Sequence, residues 1–269
     1  MAIAKDLAVQ IRRHTLRMVH QASASHIGTC LSMADLLSVL YTGVLDYCVD
    51  EPEWSGRDRF ILSKGHGTAI LYAVLAECGF FPTSWLDDYA QNGSLLLGHA
   101  SHHVPGVELS TGSLGHGLPV GCGMALAGKR DDRPYRVFVM LSDGELDEGS
   151  NWEAILFAPH HHLDNLVAIV DYNKIQSFGS VREILNLDPL ADKWRAFGWA
   201  VREIDGHDYE QIEDTLTNVP FEPGKPSVII AHTVKGKGVS FMENQLAWHY
   251  KSPNEEQLAQ ALHELEVNL

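Results

Sequence analysis

The chain has 269 residues, 45% of them apolar and 20% charged, a balance that suits a globular protein with a sizeable core. Its net charge of −15, with no basic run to offset it locally, argues against nucleic acid or an anionic membrane as partner. Cys30, Cys48, Cys78 and Cys122 fall at no metal-ligand or redox spacing and read as buried free thiols of a reducing compartment. The N-terminal apolar residues are spaced rather than continuous, and no run approaches the roughly 18 apolar residues of a membrane span, so the expected location is cytoplasmic.

Ile3, Leu7, Ile11, His14 and Met18 recur at steps of three and four and predict an amphipathic first helix. Ser32, with Asp35 three residues on, reads as the start of a second helix whose apolar face carries Leu36, Leu37, Leu40 and Val44. Arg59–Ser63 is a strand candidate that runs through Lys64-Gly65-His66-Gly67 into the helical pattern AILYAVLAECGF. From Gly93 to Gly117 the chain is rich in Gly, His and Ser with weak periodicity, which predicts a long functional loop.

The second half alternates. Strands are predicted at Val137–Leu141, Leu166–Val170, Ala200–Ile204 and Ser227–Ala231, with helices at 151–157, 189–197 and 209–217. Such alternation implies βαβ crossovers and a mostly parallel sheet covered on both faces, an α/β fold. Residues 1–269 read as a single domain with a C-terminal extension from about 242. Gly121-Cys122-Gly123 reads as close helix packing, because no nucleotide-binding glycine pattern accompanies it.

In parallel sheets ligands sit beyond the carboxyl ends of the strands. Asp143-Gly144 and Asn173 both fall there, thirty residues apart. Asp143 offers a carboxylate, Asn173 an amide oxygen and Ile175 a backbone carbonyl, which half-fill the octahedron of a Mg²⁺ ion whose remaining ligands would be water and phosphate oxygens. Gly144 admits a bulky anion close to the backbone, and a helix starting soon after would point N–H groups at it. On spacing alone an ordinary strand–helix turn is the commoner explanation. The histidines in glycine-containing loops, His26, His66, His99 and His116, suit a polyol, since a neutral imidazole both donates and accepts. His14, His20 and His263 read as isolated, and the His102-His103 and His160–His162 runs as solvated surface.

Beyond spacing, the chain resembles the N-terminal, diphosphate-binding portion of transketolase from about Leu16 to Trp248-His249. The resemblance rests on SHIG (25–28), RDRFILSKGHG (57–67), LGH (97–99), STGSLGHG (110–117), SDGELDEGSNWEA (142–154), DYNKIQ (171–176) and DGHD (205–208), in the family's order. It implies a thiamine diphosphate-binding fold with Mg²⁺, or Ca²⁺ or Mn²⁺ in its place, held by Asp143, Asn173 and the Ile175 carbonyl. Gly144, His66 and His249 match contacts to the diphosphate, and Gly112, Ser113 and Leu114 match the segment lining the cofactor. His26, His99 and His249 match histidines of the catalytic centre, and Glu148 and Glu153 match acids at the subunit interface. Three positions depart from the pattern: Ser142 stands for Gly, Tyr172 for Asn or Asp, and His116 for Gln.

The resemblance also implies two-carbon ketol transfer from a ketose, such as a sugar phosphate, to an aldose. The glutamate that bonds the cofactor's pyrimidine belongs, in the family, to a following domain that no segment here resembles. The expectation is therefore a split enzyme: a separately encoded partner carries that glutamate, in a heterotetramer of two plus two. The alternative is that the chain belongs to a related thiamine diphosphate enzyme, like deoxyxylulose-phosphate synthase or a 2-oxo acid dehydrogenase, as one of its subunits.

Overall fold

Five short strands, four of them mainly apolar, build the sheet on which the rest of the chain is arranged. The computed structural model describes residues 2–267. In it β1 (Arg59–Leu62), β2 (Val137–Ser142), β3 (Leu166–Tyr172), β4 (Ala200–Asp205) and β5 (Ser227–His232) pair in the order β1-β2-β3-β5-β4, each pair parallel. β2 and β3 are buried along their whole length, which is why they read as unbroken apolar runs rather than alternating ones. The register sets Val137 opposite Leu166 and Ser142 opposite Asp171, so the turns that follow the two strands emerge side by side.

Successive residues of each strand point to opposite faces, and each face has its own core. Phe60, Phe138, Met140, Ile169 and Ile229 pack with α1 (Ala2–Gln21), α3 (Ala34–Val39), α4 (Thr68–Glu77), α9 (Tyr209–Thr217) and α10 (Glu255–Val267). Ile61, Val139, Leu141, Val170 and Ile230 pack with α5 (Gly117–Arg130), α6 (Gly149–His160) and α8 (Leu190–Phe197). α8 joins β3 to β4 and α9 returns from β4 to β5, so the helices change face where the chain reverses direction across the sheet. This is the expected α/β architecture.

The later predicted elements lie within a few residues of the observed ones, and 209–217 matches at both ends. Two early readings differ. Ser32 does not open a helix; it ends α2 (Ile27–Ser32), and its hydroxyl donates to the buried Asp171 carboxylate. On α1, Ile3 is 73% exposed, whereas Ala4, Ala8, Ile11, Thr15, Met18 and Val19 are buried. Counting only large apolar residues missed the small side chains that let α1 approach its neighbours. The segment from about 242 turns back to the carboxyl end of the sheet at Leu246–His249 and then forms α10, which buries Ala261 and Leu265 in the first core. The predicted span of 1–269 includes Met1, Asn268 and Leu269, which lie outside the described residues.

Gly121 shows why α5 sits so close to the sheet: a Cβ there would lie 2.7 Å from Val139 Cγ2. Gly121→Ala is expected to destabilise the protein by about 1–3 kcal/mol through overpacking, read from denaturant unfolding.

Candidate functional site

The turns after β1, β2, β3 and β5 converge on a cavity of about 450 Å³ beyond the carboxyl ends of the strands. Of the residues singled out from sequence, His26, His66, His99, Gly112, Leu114, Asp143, Gly144, Asn173, Ile175 and His249 line it. Ser113 does not. Its side chain is exposed, because the backbone between Gly112 and Leu114 turns that position away from the cavity.

Asp143 joins two turns. Its carboxylate accepts the N–H of Gly144 at 2.7 Å and that of Lys174, after the neighbouring strand, at 2.6 Å. Lys174 adopts φ +68°, a left-handed conformation unfavourable for a side-chain-bearing residue, and so presents its N–H to Asp143. The amide oxygen of Asn173 accepts the N–H of Ile175 at 3.2 Å. The carbonyl of Ile175 accepts from the ammonium of Lys235 at 2.8 Å, so this oxygen already faces a cationic group. Ser142, the departure from a Gly, needs no unusual backbone: it ends β2, and its hydroxyl accepts the N–H of Glu145 at 3.2 Å.

Burial and the nearby charge of Asp171 push the Asp143 carboxyl up to about 6, against the two N–H bonds and the pull of Lys235. The donor set here is one carboxylate, one amide oxygen and one carbonyl oxygen. All three are hard oxygen ligands, and among the described residues no group of three His, Cys, Asp or Glu side chains offers the set a zinc site needs. A divalent cation with further oxygen ligands fits this chemistry, since it would favour the ionised form that burial disfavours.

Behind the turns lies a buried ionic network absent from the sequence reading. Asp171, at the end of β3, accepts from Lys64 after β1, Ser32 on α2 and Thr233 after β5, and the Lys64 ammonium also donates to Thr29 Oγ1 at 2.9 Å. Burial alone would raise the Asp171 pKa, but Lys64 and these hydroxyls more than reverse it. Asn173 Nδ2 lies 3.4 Å from the same carboxylate. A single side chain thus ties together three turns and α2. A second buried carboxylate, Glu145, accepts from Ser63 and from the N–H groups of Gly115 and Ser142, which fastens the 110–117 loop to the β2 turn.

The histidines form a cluster. The His26 ring lies 5.1 Å from those of His66 and His249 and 6.3 Å from His99 between centroids. His26 has φ +72° and donates its N–H to the His249 carbonyl at 3.0 Å. Burial, then the charge of His99 and Lys235, lowers His26 to about 4; burial, then Lys235, lowers His249 to about 3; His66 falls for the same first reason, with Lys64 next. These rings are neutral at pH 7 and can accept or donate, but they bring no charge. The fixed cation at the cavity is Lys235, which burial lowers to about 8 and which donates to Ile175 O and approaches His249 Nδ1 at 3.0 Å. A lone Lys before a glycine carries no sequence signal of burial, and reasoning from sequence missed it. His160 and His162 are exposed at the end of α6, and His102 and His103 are exposed on the long loop, as read from sequence.

The sequence matches the family description "transketolase, thiamine diphosphate binding domain" over residues 3–268. The chain belongs to the transketolase family. It is 42% identical over 254 residues to an apulose-4-phosphate transketolase subunit of Phocaeicola vulgatus, covering 94% of this chain and 90% of that one. It is 43% identical over 257 residues to the 6-deoxy-6-sulfo-D-fructose transketolase subunit SqwG of a Clostridium species, covering 95% and 94%. The transketolase structure from Leishmania mexicana superposes with a TM-score of 0.93 at 33% identity, over 99% of this chain but 42% of that one. The chain therefore spans about two fifths of the solved transketolase chain and nearly all of the two subunits.

Replacing Lys64 with Met strands the buried Asp171 charge. The expected cost is roughly 3–5 kcal/mol in denaturant unfolding, and a change below about 1 kcal/mol would mean that the pair does not hold the turns together.

Proposed function

We propose that the chain is the diphosphate- and Mg²⁺-binding subunit of a split transketolase, moving a two-carbon ketol unit from a ketose to an aldose together with a separately encoded partner. The observation that carries this reading is the Asp143–Lys174 bond, which makes one unit of the two turns whose oxygens suit a hard cation.

In this reading Asp143, Asn173 and the Ile175 carbonyl hold the metal, and Gly144 leaves room for the diphosphate. Lys235, His66 and His249 border the anion, with Lys235 supplying charge and the neutral imidazoles supplying hydrogen bonds. Gly112 and Leu114 line the wall against the aminopyrimidine; at Gly112 a Cβ would come 3.1 Å from His99 Cδ2, so any side chain there presses on the His99 ring. His26 and His99 face the sugar, holding its hydroxyls and moving their protons at the ring nitrogens. Thiamine diphosphate, when bound, supplies the carbon nucleophile that takes up and releases the two-carbon unit.

Support for the split comes from length: relatives named as transketolase subunits match this chain over nearly their whole length, whereas the Leishmania mexicana transketolase is more than twice as long. The partner would carry the pyrimidine-side glutamate, in a two-plus-two heterotetramer. The two subunits' names specify a sugar 4-phosphate and a 6-sulfo sugar, which supports an anionic ketose as donor. Among the described residues no helix is long and apolar enough to cross a membrane, and we place the enzyme in the cytoplasm.

Asp143→Ala is expected to abolish Mg²⁺-dependent uptake of thiamine diphosphate in calorimetry, and ketol transfer is expected only when the partner is added. Transfer by this chain alone would refute the split. The proton competes with the metal for Asp143, whose folded-state pKa of about 6 lies above its ordinary value. Affinity should thus be flat above pH 6 and fall roughly tenfold per unit below it, after correction for protonation of the coenzyme itself. An affinity unchanged down to pH 5 would show that Asp143 is not a ligand.

A further inference from the structure

The Asp205-Gly206-His207-Asp208 turn after β4 lies outside the cavity, yet each of its residues makes a defined contact. Asp205 accepts the N–H of His207 at 2.8 Å, and Asp208 caps α9 through the N–H groups of Glu210 and Gln211. A Cβ on Gly206 would lie 2.4 Å from Thr233 Cγ2, so this turn rests directly on the turn that follows β5. His207 bridges the two: its Nδ1 is 2.8 Å from Asp35 Oδ2, and its Nε2 accepts the N–H of Val234 at 2.8 Å. A nitrogen that accepts a backbone N–H carries no proton, so the ring is the neutral tautomer with its proton on Nδ1, donated to Asp35. Asp35 is itself fixed by both terminal nitrogens of Arg12 and by the Tyr209 hydroxyl.

Val234 immediately precedes Lys235. The turn bearing it is held by Thr233 on Asp171, by His207 on Val234 and by Gly236 N–H on the Gly28 carbonyl at 2.9 Å. With the Asn244 N–H on the Lys235 carbonyl at 2.9 Å, these ties fix the turn, and the Lys235 side chain runs into the cavity to Ile175 and His249. The Thr233 and Gly236 ties come from elements that line the cavity, and the His207 tie comes from outside it.

We infer that His207 is a positioning residue for the anion site: by accepting the Val234 N–H it aims Lys235 at the diphosphate, and it acts through Lys235 alone. The inference rests on the clamp reading above. Asparagine at this position places its amide near Nδ1 and keeps the Asp35 bond, whereas glutamine places its amide oxygen near Nε2 and keeps the Val234 bond. The two variants thus separate the tie from the fold.

The test is calorimetric binding of thiamine diphosphate with saturating Mg²⁺ to the assembled pair of this chain and its partner, together with exchange of the Val234 amide. His207→Asn is expected to bind about tenfold more weakly, in line with losses at outer-shell partners, with faster Val234 exchange, while His207→Gln stays within about threefold of the unmodified chain. In a Lys235→Met background His207→Asn should cost nothing further, since the two act in series. Equal binding by His207→Asn and the unmodified chain overturns the inference, and so does a loss that persists in the Lys235→Met background, which would mark a merely structural role. Absence of uptake by the unmodified assembled pair overturns the clamp reading itself, and this inference with it.

Discussion

One carboxylate binds two turns into a single surface. Asp143 accepts an N–H from its own turn and another from Lys174 after the neighbouring strand. Parallel pairing of β2 with β3 makes this possible, because in a parallel sheet adjacent strands end on the same side, and the register brings Ser142 level with Asp171. The arrangement has local costs. Lys174 and His26 hold left-handed backbone conformations, and Asp143 is buried close to a second carboxylate. Such features persist only where the surroundings over-determine them. Here the surroundings are the Asp171–Lys64 pair beneath and the Lys235 ammonium beside.

The site is electrostatically incomplete in an informative way. Burial keeps His26, His66 and His249 neutral, the buried lysine–aspartate pair is self-compensated, and Asp143 is left short of positive charge. Lys235 partly fills that need through the Ile175 carbonyl. A divalent ion held by Asp143, Asn173 and the Ile175 carbonyl would fill it more fully, since it would bring charge to the carboxylate. The same turns that shape the fold therefore define what can bind.

Much of the scaffold was legible because strand burial leaves a direct trace: β2, β3 and β5 are apolar runs, the first two followed directly by Asp143 and Asn173, and the helix at 209–217 shows both its cap and its period. The turn residues proposed as the clamp could be picked out because Asp-Gly and Asn at strand ends mark turns, and because ordered blocks resemble a family. The groups that hold the clamp were not. Lys64, Asp171 and Lys235 are fully or nearly fully buried, yet a single charged residue in a sequence reads as surface, since its partner lies 107 positions away in the case of Lys64 and Asp171. Ser32 was misread for the same reason: its hydroxyl serves a carboxylate 139 positions on, not the start of a helix. Long-range ionic contacts leave no periodicity to detect.

The position of the bound metal tests the clamp most directly. Crystals of the assembled pair grown with Mn²⁺ and thiamine diphosphate should give an anomalous peak bonded to oxygens of Asp143, Asn173 and the Ile175 carbonyl. A peak elsewhere, such as on the exposed histidines at the end of α6, with none between the two turns, would contradict it.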